Sequence, residues 1–135
     1  MLYQNASREI ARRRATESAL RQSEERYRAL YHCTPAMLHS IDPAGRIVSV
    51  SDYWSEVMGY RREEVIGRRL TSFFLEESRR FAEEEVFPEF FNTGFIKDVP
   101  YQFVKKDGRT IDVLLSAIAD RDEQDKIVRT LAVSI

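Results

Sequence analysis

The stretch Ser51–Gly67, S-D-Y-W-S-E-V-M-G-Y-R-R-E-E-V-I-G, decides how the rest of this chain is read. Ser51 or Asp52 can cap a short helix, because their side-chain oxygens accept from the first free amides of a helical turn. Tyr53, Trp54, Val57 and Met58 would form its apolar face. Gly59 stops it. Arg62–Ile66 gives one or two further helical turns, and Gly67 stops those.

Upstream, residues 36–42 read as a strand. Asp42-Pro43-Ala44-Gly45 has the chemistry of a tight turn, with Pro presetting the second position and Gly free at the fourth. Residues 46–51 alternate as the returning strand. Before this hairpin, residues 4–33 hold no Gly or Pro and are rich in Arg, Glu, Ala, Gln and Leu, all strong helix formers. Every third and fourth residue there spells Ala6, Ile10, Arg13, Glu17, Leu20, Glu24, Tyr27 and Tyr31, a heptad-like stripe with polar interruptions. Some 30 helical residues span roughly 45 Å, so this helix calls for a partner. Glu17–Arg21 and Glu24–Arg28 are spaced for ion pairs along it. Pro35 biases Thr34 away from helical angles and ends it.

Downstream, Leu70, Phe73 and Phe74 form a second apolar patch. Residues 76–92 then offer a helical face of Phe81, Val86, Phe87, Phe90 and Phe91, interrupted by Pro88. Proline removes a helical hydrogen bond, so a kink is expected near residues 84–88. Asn92-Thr93-Gly94 ends the helix. Three strands follow, residues 95–105, 110–121 and 126–135, joined at Lys106-Asp107-Gly108-Arg109 and at residues 122–125. The order β-β-α-α-α-β-β-β predicts an α+β domain, a five-stranded antiparallel sheet with short helices on one face.

Composition narrows the function classes. The chain has 135 residues and a net charge of −1, which gives no overall pull towards nucleic acid or membrane. Cys33 is the single cysteine, so no internal disulfide can form. That usage, with a polar, arginine-rich N-terminus, points to the cytoplasm. No apolar run reaches the roughly 20 residues that span a bilayer. There is no Gly-rich phosphate loop, no zinc-protease or serine-hydrolase motif, and no histidine-based triad to argue. A non-catalytic role is therefore expected. Glu83-Glu84-Glu85 reads as a solvated helix face, and Arg12-Arg13-Arg14 as a coiled-coil surface.

From about Glu25 to Ile135 the chain resembles PAS domains. The resemblance rests on E-E-R-Y-R-A-L-Y, I-D-P-A-G-R-I-V, M-G-Y-R-R-E-E-V-I-G-R, the long helix to N-T-G, F-V-K-K-D-G-R-T-I-D-V and I-V-R-T-L-A-V-S-I, in that order. It implies a PAS fold at residues 34–135, preceded by a signalling or dimerisation helix at residues 1–33. It also implies a sensory module of a multidomain bacterial signalling protein. The output domain would be a C-terminal histidine kinase, as in two-component systems, or a diguanylate cyclase. A pocket between sheet and short helices would be lined by Trp54, Met58, Phe73, Phe74, Phe81, Tyr101, Phe103, Leu114 and Ser116. A homodimer would form through Ile10, Leu20, Tyr27, Leu30 and Tyr31. The alternative is that the same aromatics fill the space and the module only assembles proteins.

The cofactor remains unassigned. Blue-light flavin members of the family carry a reactive cysteine where this chain has Leu70, which excludes cysteine-adduct photochemistry; flavin binding without an adduct stays open. Haem members place a histidine on the long helix, and residues 76–92 contain none. His32 and His39 read as surface or interfacial histidines, and three Cys and His in all are too few for an ordinary structural zinc site. Cys33 is a candidate redox-sensitive thiol, with a partly buried small hydrophobe as the plainer reading.

Overall fold

The computed structural model describes residues 2–135, with side chains from residue 5 onward. The chain divides into two compact units, Met1–His32 and Cys33–Ile135. The first is a single helix, α1 (Leu2–Cys33), unbroken as its lack of Gly and Pro predicts. Among the described residues of α1, the closed i,i+4 ion pair is Glu9–Arg13 at 3.6 Å, rather than the two expected from spacing.

The second unit holds five strands: β1 (Met37–Ile41), β2 (Ile47–Val50), β3 (Phe95–Val104), β4 (Thr110–Arg121) and β5 (Ile127–Ser134). They form one antiparallel sheet in the order β2-β1-β5-β4-β3. Between β2 and β3 lie α2 (Asp52–Met58), α3 (Arg62–Val65), a 3-10 turn (Leu70–Phe73), α4 (Glu76–Phe81) and α5 (Phe87–Thr93). The α+β architecture expected from element order is the one observed.

Local chemistry explains the joints. Asp42 closes the β1–β2 turn, its Oδ1 accepting from the amides of Ala44 and Arg46, and Gly45 takes a φ of 82°. Ser51 is the N-cap of α2, and Gly59 ends that helix in the left-handed region. The expected kink is a π-turn at Ala82–Val86 joining α4 to α5, in which the Phe87 amide bonds back to Ala82. Pro88 has no N–H to donate, and its ring crowds the preceding turn. A widened turn relieves that crowding without ending the helix.

The core lies between one sheet face and the short helices. Trp54, Met58, Phe73, Phe103, Ile47 and Val65 are essentially excluded from solvent there.

Candidate functional site

The inner sheet face is built by alternation. Met37, His39 and Ile41 of β1 point one way, since side chains alternate across a strand. His39 stands opposite Val50 on β2 and Ala132 on β5, both in the core. Val113, Leu115 and Ala117 of β4 continue that face, with Tyr101 and Phe103 from β3.

Aromatic rings close over it from the helical side. Trp54 meets Phe73 edge-on at 5.7 Å between centroids, and Tyr60 meets the same ring at 5.0 Å. Phe74 packs on Tyr101 and stacks on Phe103, both at 4.8 Å. Phe81 reaches Tyr101 at 6.1 Å. Arg68 lies 4.5 Å over the outer side of the cluster at Phe73, a cation–π contact.

Several polar atoms buried in this unit have no hydrogen-bond partner in the protein, among them Trp54 Nε1, Tyr101 OH, His39 Nδ1, Ser55 Oγ and Ser134 Oγ. Such an atom costs about 1–3 kcal/mol of lost hydration, so a group of them is unusual. Burial drives the His39 pKa down to about 4, so the ring is neutral at pH 7. Burial pushes the Tyr101 phenol up, so its proton stays on. The indole can only donate. The site therefore offers neutral hydrogen-bonding groups amid apolar walls.

The residues expected to line a pocket divide. Trp54, Met58, Phe73, Phe74, Tyr101 and Phe103 gather in one buried cluster. Phe81 is at its rim, 37% exposed. Leu114 and Ser116 do not belong to it. The inward residues of β4 are Val113, Leu115 and Ala117, so Leu114 and Ser116 point to the opposite face. Ser116 Oγ there accepts from the amide of Asp98, where β3 bulges. His39 is fully buried rather than superficial, because β2 and β5 flank it on both sides. Tyr53, expected on the apolar face of α2, is exposed.

On α1, Ile10, Leu20, Tyr27 and Leu30 are all more than half exposed. Tyr31 is buried, with His32 edge-on at 5.2 Å and Tyr27 at 6.3 Å. Cys33 is exposed instead of partly buried.

Sequence reasoning also missed a cleft of about 370 Å³ between the end of α2 and the β3–β4 hairpin, lined in part by Val57, Met58, Lys105, Lys106 and Arg109. The Lys106 ammonium bridges from it to Glu64 at 2.8 and 3.0 Å. That hydrogen bond, chiefly, holds the Glu64 carboxyl below its usual range. Among the described residues no cluster of Cys, His, Asp and Glu could hold a metal ion, and no helix is long and apolar enough to cross a membrane.

One antiparallel sheet, closed on one face by short helices around buried aromatics and stranded polar atoms, makes up this α+β module. The family model described as PAS domain matches residues 34–135, and the chain belongs to that family. Domains of this family are generally sensory, non-catalytic modules. The chain is similar to the PAS domain of an HTR-like protein from Haloarcula marismortui, at 27% identity and a TM-score of 0.70, covering 90% of this chain and 98% of that one. It is also similar to a light-oxygen-voltage domain whose mechanism was probed with a flavin analogue (27% identity, TM-score 0.66, covering 80% and 81%). The fold alone is shared with the light-oxygen-voltage domain of a blue-light activated histidine kinase from Erythrobacter litoralis (18% identity, TM-score 0.65, covering 75% and 94%). No curated relative matches the chain.

Proposed function

We propose that this chain is a cytoplasmic sensory module that pairs through α1 and biases that pairing when a small neutral ligand occupies the inner face of the sheet. The observation that carries this reading is the stranding of Trp54 Nε1, Tyr101 OH and His39 Nδ1 in an otherwise apolar core. A ligand bringing acceptor atoms would recover their lost hydrogen bonds, and the aromatic walls would hold its apolar part. The residues at work are Trp54, Met58, Phe73, Phe74, Tyr101 and Phe103, with Phe81 at the edge. Residues 1–33 act as the pairing helix and residues 34–135 as the sensor.

A ligand can shift the module only through unequal affinity for two packings. The change would leave through β5, central in the sheet, towards a C-terminal output domain. A histidine kinase is the favoured output, since a structural neighbour belongs to one; a diguanylate cyclase of a bacterial signalling protein is the other. Leu70 in place of a reactive cysteine argues against adduct photochemistry.

A second reading is a ligand-free assembly module. The near-complete burial of Trp54, Phe73 and Phe103 favours it, since these rings already fill much of the space. Native mass spectrometry of freshly purified protein, beside an absorbance scan across the near-ultraviolet and visible, separates the two. A non-covalent adduct supports the sensor. A bare protein that takes up no compound from a neutral metabolite library supports assembly alone.

A further inference from the structure

The charges along α1 specify how two copies fit together. The helix is continuous from Leu2 to Cys33. Its seam runs Ala6, Ile10, Arg13, Glu17, Leu20 and Glu24, and continues to Tyr27 and the buried Tyr31. Ile10 and Leu20 are 51% and 59% exposed, so apolar groups on this seam lack cover within the chain.

In a parallel, in-register pair each seam residue meets its own copy. Arg13 would face Arg13, Glu17 would face Glu17, and Glu24 would face Glu24. Three layers would then bring like charges together as water leaves, with no partner to offset the desolvation.

We propose that α1 binds α1 of a second copy antiparallel, centred on Ala15. Each residue then meets the one equally far on the other side of Ala15. Ile10 packs on Leu20, Arg13 pairs with Glu17, and Ala6 leaves room for Glu24. Every one of these layers occurs twice by symmetry. Sliding the pair by one heptad sets Glu17 against Leu20 in one direction, although Arg13 then meets Glu24, and Arg13 against Ile10 in the other, so only the register centred on Ala15 combines the Ile10–Leu20 layer with the Arg13–Glu17 layer. Arg13 already lies 3.6 Å from Glu9 in its own helix, and Glu17 of the second copy would complete a three-membered network. A parallel pair would gain a Glu9–Arg14 contact at the rim, and the antiparallel pair sets Arg14 near its own copy there. Rim charges remain in water and weigh less than those in the seam. Tyr31 lies beyond the paired segment, consistent with its burial.

The inference rests on the pairing through α1 proposed above and adds its orientation. Cysteine cross-linking in the full chain with Cys33→Ser tests it. When Ile10→Cys and Leu20→Cys proteins are mixed and oxidised, the mixed 10–20 disulfide should exceed either symmetric product roughly tenfold. Arg13→Glu and Glu17→Arg should each weaken the dimer roughly tenfold, and the double swap should restore it to within about threefold. Symmetric 10–10 and 20–20 disulfides, or single swaps without effect, overturn the antiparallel pairing while leaving dimerisation through α1 intact. A dimer that yields no disulfide at either position, or a chain monomeric throughout, overturns the pairing through α1 as well.

Discussion

The hydroxyl of Ser51 donates to the carbonyl of Ala36 at 2.8 Å, which ties the start of α2 to the residue before β1. The same oxygen accepts from the amides of Leu38 at 3.0 Å and Trp54 at 3.2 Å. Ser51 is fully buried. Ser51→Ala therefore removes an N-cap and strands polar groups at once. Urea unfolding should show a loss of about 2–3 kcal/mol; a loss below about 0.5 kcal/mol would mean water replaces the hydroxyl.

Trp54 separates packing from ligand chemistry. Trp54→Ala empties a fully buried site and should cost about 3–5 kcal/mol. Trp54→Phe keeps an aromatic ring near Phe73 but removes the stranded donor. It should cost less than the alanine variant and should lose affinity for a ligand that accepts from the indole. Calorimetry and unfolding on both variants check this.

His39 makes stability depend on pH. Its folded pKa, about 4, lies below the ordinary 6.5. The unfolded chain then binds more protons between those values, so stability is full above pH 6.5 and falls as pH drops towards 4. At pH 4.5 the loss should be about 2–3 kcal/mol relative to pH 7. His39→Leu should flatten that part of the profile measured by urea midpoints, and a wild-type profile equally flat would show that the ring is hydrated or paired.

Neighbours on β4 should respond oppositely. Leu114 is 46% exposed and Leu115 is buried. Leu114→Ser should change stability by about 0.5 kcal/mol or less, and Leu115→Ala should cost about 2–5 kcal/mol. Thermal melts of the two variants decide the strand's phase.

That phase shows where the sequence was legible and where it was not. Glycine and proline punctuation marked the helices and turns because φ demands at Gly45, Gly59 and Gly94 are local. Ser51 could be read as a cap for the same reason. The inward set of β4 was partly hidden because Leu114 and Ile118 make the outer face apolar too, and alternation then has no contrast. The burial of His39 depends on β5, some 90 residues away, closing beside β1. No local pattern reports that. Pro88 announced a disturbance, but whether a helix kinks or widens is settled by packing on both sides of it. Of the residues expected to line a pocket, Trp54, Phe73, Phe74, Tyr101 and Phe103 lie in the buried core because they are large and apolar. The stranded polar atoms were not legible, since nothing in a sequence says which partners are missing.

Pairing through α1 is the claim on which signalling rests, and sedimentation velocity of the wild-type chain beside Leu20→Asp tests it most directly. The account predicts that wild-type protein moves towards a dimer across micromolar concentrations and that Leu20→Asp stays monomeric. Identical profiles for the two proteins would contradict it.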